Sequence, residues 1–126
     1  MAEAVQDLYP ETKFGIGPPI ADGFYYDFDR EEPFTPEDLE KISQQMKDSI
    51  KRDSLFVKKV VPKDEAKRIF SNLKQDYKLK LLDEIPDEIV TLYENGKFID
   101  LCRGPHVKST GAVKYFKLLS VAGAYW

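Results

Sequence analysis

The sequence predicts one α+β domain in which a mostly antiparallel sheet packs against a long amphipathic helix, about residues 35–52, and shorter helices. Three observations lead to this prediction. One segment has a strong helix start followed by an apolar stripe, several short segments alternate apolar and polar residues, and an Asn-Gly pair separates two of them. A chain of 126 residues is long enough to bury its own core, so we assign 1–126 to a single domain.

Composition and charge exclude several classes of protein. With 42% apolar and 13% aromatic residues, the chain is too apolar to be disordered. Its apolar runs are shorter than the roughly 18 residues of a membrane span, and the N-terminus does not resemble a secretory signal. The single cysteine excludes an internal disulfide and fits a reducing, cytoplasmic setting. A net charge of −3 is unusual for a protein that grips many phosphates, so we expect any nucleic-acid substrate to be delivered by something else.

The first elements are a helix and an aromatic strand. Val5 and Leu8 lie three apart with Pro10 beyond, which predicts the last turns of a helix over residues 1–9. No N-cap precedes this helix, so we expect that it has been cut and that residues are missing upstream. Residues 24–29 alternate, which predicts a strand with Phe24 and Phe28 in the core.

The middle of the chain contains the clearest helix. Thr35 is a good N-cap and Pro36 suits the first helical position, and the apolar stripe then continues to Arg52. A β-rich run over 55–61 and a short helix over 63–72 follow. Residues 77–82 alternate, which predicts a strand with the lysines on a solvated outer face.

The last part of the chain predicts a hairpin and a turn. Asn95-Gly96 is typical of a type I′ turn, and on the return strand Asp100 and Cys102 share one face. The chain then turns at Gly104-Pro105 and presents His106. Residues 112–126 are apolar and aromatic, which predicts one or two strands, and we expect that this end is also cut.

The segment DLCRGPHV, residues 100–107, holds the only cysteine and the only histidine of the chain. A thiolate and an imidazole four residues apart could be half of a tetrahedral zinc site, which would need further ligands. Cys102 could instead be a nucleophile activated by His106. It could also be a buried structural cysteine with a histidine satisfied by backbone groups. Asp100 on the same face as Cys102 favours a site of chemistry, and the spacing leaves the three interpretations open.

Four segments resemble the editing domain, or second additional domain, of threonyl-tRNA synthetases of the bacterial and eukaryotic type. They read GIGPPIADGFYYDFD, FTPEDLEKI, DLCRGPHV and FKLLSVAGAYW, and the resemblance runs along essentially the whole chain. CRGPH is typical of the threonyl enzymes, whereas the alanyl enzymes and their free-standing relatives tend to have CGGTH.

The resemblance implies an α+β domain that hydrolyses serine mischarged onto threonine tRNA in the cytoplasm. The implied partners are the acceptor end of that tRNA and the remaining domains of a parent synthetase, itself expected to be a homodimer, with no membrane. Editing needs no cofactor or metal in this family. ATP and zinc are implied only for the catalytic core of the parent synthetase, which charges the tRNA. This chain contains no recognisable ATP-binding motif of such a core.

The resemblance also implies the roles of site residues. The catalytic set is Lys78, Asp100, Cys102 and His106, and the substrate-binding set is Tyr26, Asp100 and Arg103. Lys78 would help to place the attacking water, and Asp100 would contact the seryl amino group. Tyr26 would line the pocket for the terminal adenosine or the aminoacyl group. Cys102 and His106 would shape the pocket rather than supply a nucleophile.

The chain departs from the family pattern in two places. The family's H-x-x-x-H helix, whose histidine would orient the water, lies before the sequence that here begins MAEAVQDLYP, so the nearer histidine would precede Met1 by two positions. Lys108 stands where proline is usual. We therefore expect this chain to be weak or inactive alone. The alternatives are a non-catalytic scaffold that binds the acceptor end and a zinc-binding module of the alanyl type.

Overall fold

The computed structural model describes residues 1–123 and confirms the α+β prediction. Its helices are α1 (Ala2–Leu8), α2 (Pro36–Arg52), α3 (Lys63–Asn72) and α4 (Asp76–Glu84). Its strands are β1 (Lys13–Phe14), β2 (Pro19–Ile20), β3 (Gly23–Phe24), β4 (Phe28–Asp29), β5 (Phe56–Pro62), β6 (Ile89–Asn95) and β7 (Phe98–Leu101). All pairs are antiparallel, with a central sheet of order β5-β6-β7 and two short ribbons, β1–β4 and β2–β3. Among the described helices none is long and apolar enough to cross a membrane.

The central sheet is covered on one face by α3 and α4. Leu92 of β6 pairs with Leu101 of β7, and both pack into the cluster beneath these helices. The buried members of this cluster are Ala66, Phe70, Leu82, Val90 and Leu92. Phe70 is fully buried, so truncation to alanine would cost about 3–5 kcal/mol.

Residues 77–82 were predicted as a strand, and this prediction is wrong because they lie in α4. Leu82 is fully buried, and Lys78, one helical turn before it, is also buried at 3% exposure. Leucine, lysine and glutamate are strong helix formers. Apolar residues of this segment also pack against α3, which stabilises a helix here more than the alternating pattern stabilises a strand. The predicted solvated lysine face is therefore also wrong for Lys78.

The long helix α2 is confirmed, and its start has the predicted chemistry. The Oγ1 atom of Thr35 accepts a hydrogen bond from the backbone N–H of Asp38 at 3.1 Å, and Asp38 accepts one from the Thr35 N–H at 2.9 Å. Such a capping box satisfies two otherwise unpaired helix donors.

The prediction of helix α1 is confirmed as well. This helix packs against α2, and Glu3 of α1 forms an ion pair with Arg52 of α2 at 2.8 Å. The cluster between them contains Ala4, Val5, Phe14, Ile42 and Phe98.

The aromatic segment is not one continuous strand. Phe28 lies in β4 opposite Phe14, whereas Phe24 lies in β3 opposite Pro19. Between the two ribbons, the four residues 15–18 lie opposite the three residues 25–27, so the pairing register changes by one. The tip of the hairpin extends beyond the core, so Phe24 is 54% exposed and its predicted core position is wrong. Phe28 does pack against the buried cluster.

The predicted β6–β7 hairpin is present, but its turn is not type I′. Asn95 remains in the strand opposite Phe98, so the two central residues are Gly96 and Lys97. Only Gly96 of this pair has a positive φ, at 61°, which is the pattern of a type II′ turn. The Asn95 amide donates instead to the backbone oxygens of Ser54 and Leu55.

The strands predicted for the end of the chain are absent from its described part. A short 3-10 turn over Thr110–Ala112 is followed by irregular chain from 113 to 123, in which Leu118 packs against the cluster beside α2. Phe116 and Leu118 are half-buried while Tyr115 and Leu119 are exposed, but within the described residues no strand pairs with 113–123, so this alternation does not form a strand. The final residues of the prediction, 124–126, lie outside the described residues.

Candidate active site

The site is built around Asp100, whose side chain leaves β7 at the edge of the central sheet. Its Oδ1 atom lies 2.5 Å from Nζ of Lys78, and its Oδ2 atom accepts a hydrogen bond from the hydroxyl of Tyr26 at 2.6 Å. The backbone N–H of Leu101 also donates to Oδ1 at 2.8 Å. Three donors from three parts of the chain therefore hold this carboxylate in one orientation.

Lys78 is the most buried charged group of the site, with 4% of its side chain exposed. Besides Asp100, its ammonium group donates to the backbone oxygen of Gly15 at 2.8 Å and to the Tyr26 hydroxyl at 3.2 Å. An ammonium ion has three N–H donors, so all three have acceptors. This is the arrangement that makes a buried charge tolerable.

Contacts at the start of α4 fix where Lys78 enters the site. The side chain of Gln75 accepts a hydrogen bond from the Phe14 N–H at 2.9 Å and donates to the Thr12 oxygen at 3.2 Å. Lys13 and Asp76 form an ion pair at 2.9 Å beside it. These bonds attach α4 to β1, one turn before Lys78, and so align the lysine with the aromatic hairpin.

Tyr26 is held as a neutral hydrogen-bond donor. Burial raises its pKa far above the ordinary value of a tyrosine, and the charge of Asp100, the hydrogen bond to it and nearby Cys102 raise the pKa further. The phenol therefore keeps its proton at physiological pH and donates to the carboxylate. Its ring contacts Phe14 edge to face and stacks on Phe28, so its position depends on the core.

Cys102 and His106 form a second group next to the first. Nε2 of His106 lies 3.1 Å from Sγ of Cys102, and the backbone N–H of Gly104 donates to the same sulfur at 3.3 Å. The imidazole stacks on Phe56 with ring centres 5.3 Å apart and meets Tyr93 edge on at 4.5 Å. Cys102 is half-buried and His106 is exposed, so this group borders solvent.

The turn between these two residues requires glycine. Gly104 has a φ of 79° and precedes Pro105 through a cis peptide bond. A Cβ atom at this position would lie 2.2 Å from the hydroxyl oxygen of Tyr93. The turn therefore brings His106 back over Cys102 only when position 104 has no side chain.

The structure brings five of the predicted site residues into two contacting groups and leaves Arg103 apart from both. Lys78, Asp100 and Tyr26 contact one another, and Cys102 contacts His106. Arg103 is exposed and borders a cavity of about 640 Å³ that Leu101 and Cys102 also line, between the end of α4 and the start of β6. Within residues 1–123, no group of three or more His, Cys, Asp or Glu side chains is arranged to hold a metal ion.

Sequence reasoning missed three contributors to the site, which are the Gly15 carbonyl, Phe56 and Tyr93. Tyr93 was missed because the predicted turn at Asn95-Gly96 would place it opposite Phe98, whereas the observed turn at Gly96-Lys97 places it opposite Asp100. Phe56 is the partner of Asn95 on the other side of β6, which only the β5 register reveals. Nothing in the sequence indicates that a backbone oxygen would bind Lys78.

Comparison with known proteins finds similarity to one family and to a group of ligases. Residues 90–124 match the family described as threonyl and alanyl tRNA synthetase second additional domain. The whole chain is 55% identical to a threonine–tRNA ligase of Oleidesulfovibrio alaskensis, 55% to one of Symbiobacterium thermophilum and 56% to one of Dehalococcoides mccartyi. The chain covers only 20%, 20% and 21% of these relatives, or about one fifth of their length. These matches confirm the resemblance carried by the sequence motifs.

Proposed function

We propose that this chain is an editing module, a proposal supported by the match of residues 90–124 to the threonyl and alanyl tRNA synthetase second additional domain family. Its substrate is threonine tRNA mischarged with serine, and it hydrolyses the ester between serine and the 3′-terminal ribose. The observation that carries this proposal is the convergence of Lys78, Asp100 and Tyr26 beside Cys102. A fixed carboxylate, a cation and a neutral donor are the groups that recognition of an aminoacyl ester requires.

The chemical need for such a module follows from the size of serine. Serine lacks one methyl group of threonine. At the site that attaches the amino acid to tRNA, a missing methyl changes the binding free energy by only about 1–3 kcal/mol. A second site that hydrolyses the wrong product supplies the remaining discrimination. A hydrolytic pocket lined by polar groups suits the smaller, serine-bearing ester.

Each residue of the buried group has a role in this reaction. The Asp100 carboxylate accepts a hydrogen bond from the seryl ammonium group and so orients the ester. When the substrate binds, the attacking water replaces the Tyr26 hydroxyl, the most distant of the three acceptors of Lys78 at 3.2 Å. The charge of the Lys78 ammonium group then stabilises the negative charge that develops on the carbonyl oxygen. Tyr26 keeps Asp100 in place and lines the pocket for the terminal nucleotide.

Water is the nucleophile in this proposal. It attacks the ester carbon and gives its proton to a general base, for which we propose a histidine of the family's H-x-x-x-H motif. The tetrahedral intermediate then expels the ribose 3′ oxygen, which takes up a proton, and serine and free tRNA leave. Cys102 forms the pocket wall, because its sulfur already accepts a hydrogen bond from Gly104 and contacts an imidazole held between two rings.

The proposal extends to the protein in which such a module acts. We propose a cytoplasmic, homodimeric threonine–tRNA ligase whose other domains deliver the acceptor end to this site. The net charge of −3 is in keeping with delivery by other domains. On this proposal the 126-residue chain has weak activity or none by itself.

Deacylation assays test the site assignment. We expect Asp100→Ala and Lys78→Ala, each in the full-length protein, to slow the hydrolysis of seryl-tRNA by about 100-fold or more, because each removes a group that orients the ester or the water. Lys80→Ala is the matched control, since Lys80 is exposed on the same helix. Unchanged rates in both site variants would overturn the assignment.

A non-catalytic scaffold is the second candidate. It is favoured by the mutual satisfaction of Lys78, Asp100 and Tyr26, a pattern that also occurs in purely structural networks. It predicts that the full-length protein binds seryl-tRNA without hydrolysing it at this domain. Seryl-tRNA hydrolysis that is lost with Asp100→Ala would exclude this candidate.

A further inference from the structure

The segment between β1 and β2, residues 15–18, passes directly beside the candidate active site. It reads Gly-Ile-Gly-Pro, and the carbonyl of Gly15 accepts a hydrogen bond from Lys78 at 2.8 Å. Gly17, two residues later, lies against the ring of Tyr26. One short stretch of backbone therefore contacts two of the three residues that converge at Asp100.

Gly17 is required by space and not by backbone conformation. It is exposed, and it is not among the glycines with a positive φ, which are Gly23, Gly96 and Gly104 within residues 1–123. A Cβ atom at position 17 would nevertheless lie 2.3 Å from Cδ2 of Tyr26 and 2.8 Å from its Cε2. Because non-bonded carbon atoms lie about 3.5–4.0 Å apart, either the ring or the backbone would have to shift by about 1 Å or more.

Hydrogen bonds on both sides hold the backbones of Gly17 and Tyr26 together. The N–H groups of the residues before and after Tyr26 donate to the carbonyls of the residues after and before Gly17, at 3.4 Å and 2.9 Å. Separation of the two backbones would break these bonds, and it would also move the neighbouring Gly15 carbonyl away from Lys78. An added methyl group would therefore displace the tyrosine ring.

The Tyr26 ring is confined on its other sides as well. It stacks on Phe28 with ring centres 4.9 Å apart and meets Phe14 edge on at 6.0 Å. Its hydroxyl donates to Asp100 at 2.6 Å. A displacement of about 1 Å away from Asp100 would carry the hydroxyl beyond hydrogen-bond distance of the carboxylate.

We propose that Gly17 is a positioning residue of the site, because its missing side chain lets the Tyr26 ring lie where the hydroxyl reaches Asp100. Its effect on hydrolysis rests on the proposed function, in which Tyr26 keeps Asp100 in place for the seryl ammonium group. A misplacement of about 1 Å can slow an enzymatic reaction by about 100-fold. A larger residue at position 17 should therefore slow hydrolysis although every group assigned to the reaction is still present.

A cycle of two single variants and one double variant tests this role. We would compare Gly17→Ala, Tyr26→Ala and the double variant by urea denaturation of the chain and by seryl-tRNA deacylation in the full-length protein. Gly17→Ala should lower the urea midpoint and slow deacylation by about 10–100-fold. When Tyr26→Ala has removed the ring, the methyl group has nothing to displace, so adding Gly17→Ala should cause no further loss in either measurement.

The ionisation of the tyrosine gives a readout that a general loss of stability would not change. In the unchanged chain, burial and the neighbouring Asp100 raise the pKa of Tyr26 far above its ordinary value. In Gly17→Ala the hydroxyl no longer donates to Asp100, so a near-ultraviolet absorbance titration should show one tyrosine ionising at lower pH than before. Gly17→Ala should not change the titration when it is added to Tyr26→Ala.

The outcomes separate this inference from the proposed function. Additive losses in the double variant would overturn the inference, as would a tyrosine titration that Gly17→Ala leaves unchanged. If Gly17→Ala deacylates seryl-tRNA at the normal rate while Asp100→Ala does not, the inference fails alone. If Asp100→Ala and Lys78→Ala also leave the rate unchanged, the proposed function fails with it.

Discussion

The two groups of the candidate site are held in place by different forces. Lys78, Asp100 and Tyr26 form a buried network in which each polar atom has a partner from another part of the chain. Cys102 and His106 lie at the surface, where ring contacts and a glycine turn position them. Substitutions in the first group should therefore lower the stability of the whole fold. Substitutions in the second group should mainly change the local position of Cys102 and His106.

Removal of the buried cation should have the largest effect on stability. Lys78→Met leaves Asp100 without its ion-pair partner in a site where it is 19% exposed, and we expect a loss of about 3 kcal/mol in the free energy of unfolding. Urea denaturation measures this loss. The double variant Lys78→Met, Asp100→Asn should recover much of it, because no unpaired charge remains. Equal losses in the single and double variants would contradict a coupled pair.

Substitution at the turn should have an intermediate effect that is confined to the second group. Gly104→Ala places a Cβ atom against the Tyr93 hydroxyl and forces alanine to a φ of 79°, so we expect a loss of about 2 kcal/mol and displacement of His106. Gly96→Ala is a matched control, since Gly96 has a φ of 61° and the added atom would make only ordinary contacts, the nearest at 3.6 Å from Glu3. Denaturation of both variants isolates the clash, and equal losses would show that there is none.

Deletion of the tyrosine hydroxyl should have the smallest effect near neutral pH. Tyr26→Phe removes one hydrogen bond to Asp100 but leaves the ion pair with Lys78, and we expect a loss of about 1–2 kcal/mol. The pH dependence gives a sharper test. Because the folded pKa is raised, the stabilisation by Tyr26 is complete below its unfolded pKa of about 10 and declines as pH rises above it.

Comparison of unfolding between pH 9 and 11 checks this sign. The unchanged chain should lose stability over this range more steeply than Tyr26→Phe. Tyr9 and Tyr77 also have raised pKa values but are present in both proteins, so the difference belongs to Tyr26. Parallel pH curves would contradict a buried, neutral phenol.

The sequence predicted the elements that local signals define. The bounds of α2 follow from Thr35 and Pro36 and from an apolar stripe, all of which act within one helix. The β6–β7 hairpin follows from a glycine that accepts a positive φ. The association of Asp100 with Cys102 follows from alternation along one strand. These features depend on neighbours in sequence, so the sequence alone contains them.

The errors occurred where distant packing decides the structure. Residues 77–82 alternate as a strand does, but the buried surface of α3 selects a helix, and this choice turns Lys78 inward. Phe24 has the apolarity of a core residue, yet the length of its hairpin carries it past the core. The resemblance identified Lys78 as a site residue while the alternation placed it in solvent. The structure brings Lys78 to Asp100. No local sequence pattern indicates that a lysine will be buried against a carboxylate 22 residues further along the chain.

The hydrogen bond from Tyr26 to Asp100 joins residues 74 positions apart, and the bond from Lys78 to Tyr26 joins residues 52 apart. Closing loops of this length is entropically unfavourable until the intervening elements are in place. We therefore expect the site to assemble late in folding, after the aromatic hairpin, the helix pair and the sheet have come together. On the proposed function, we expect hydrolysis at this site only in chains that have folded completely.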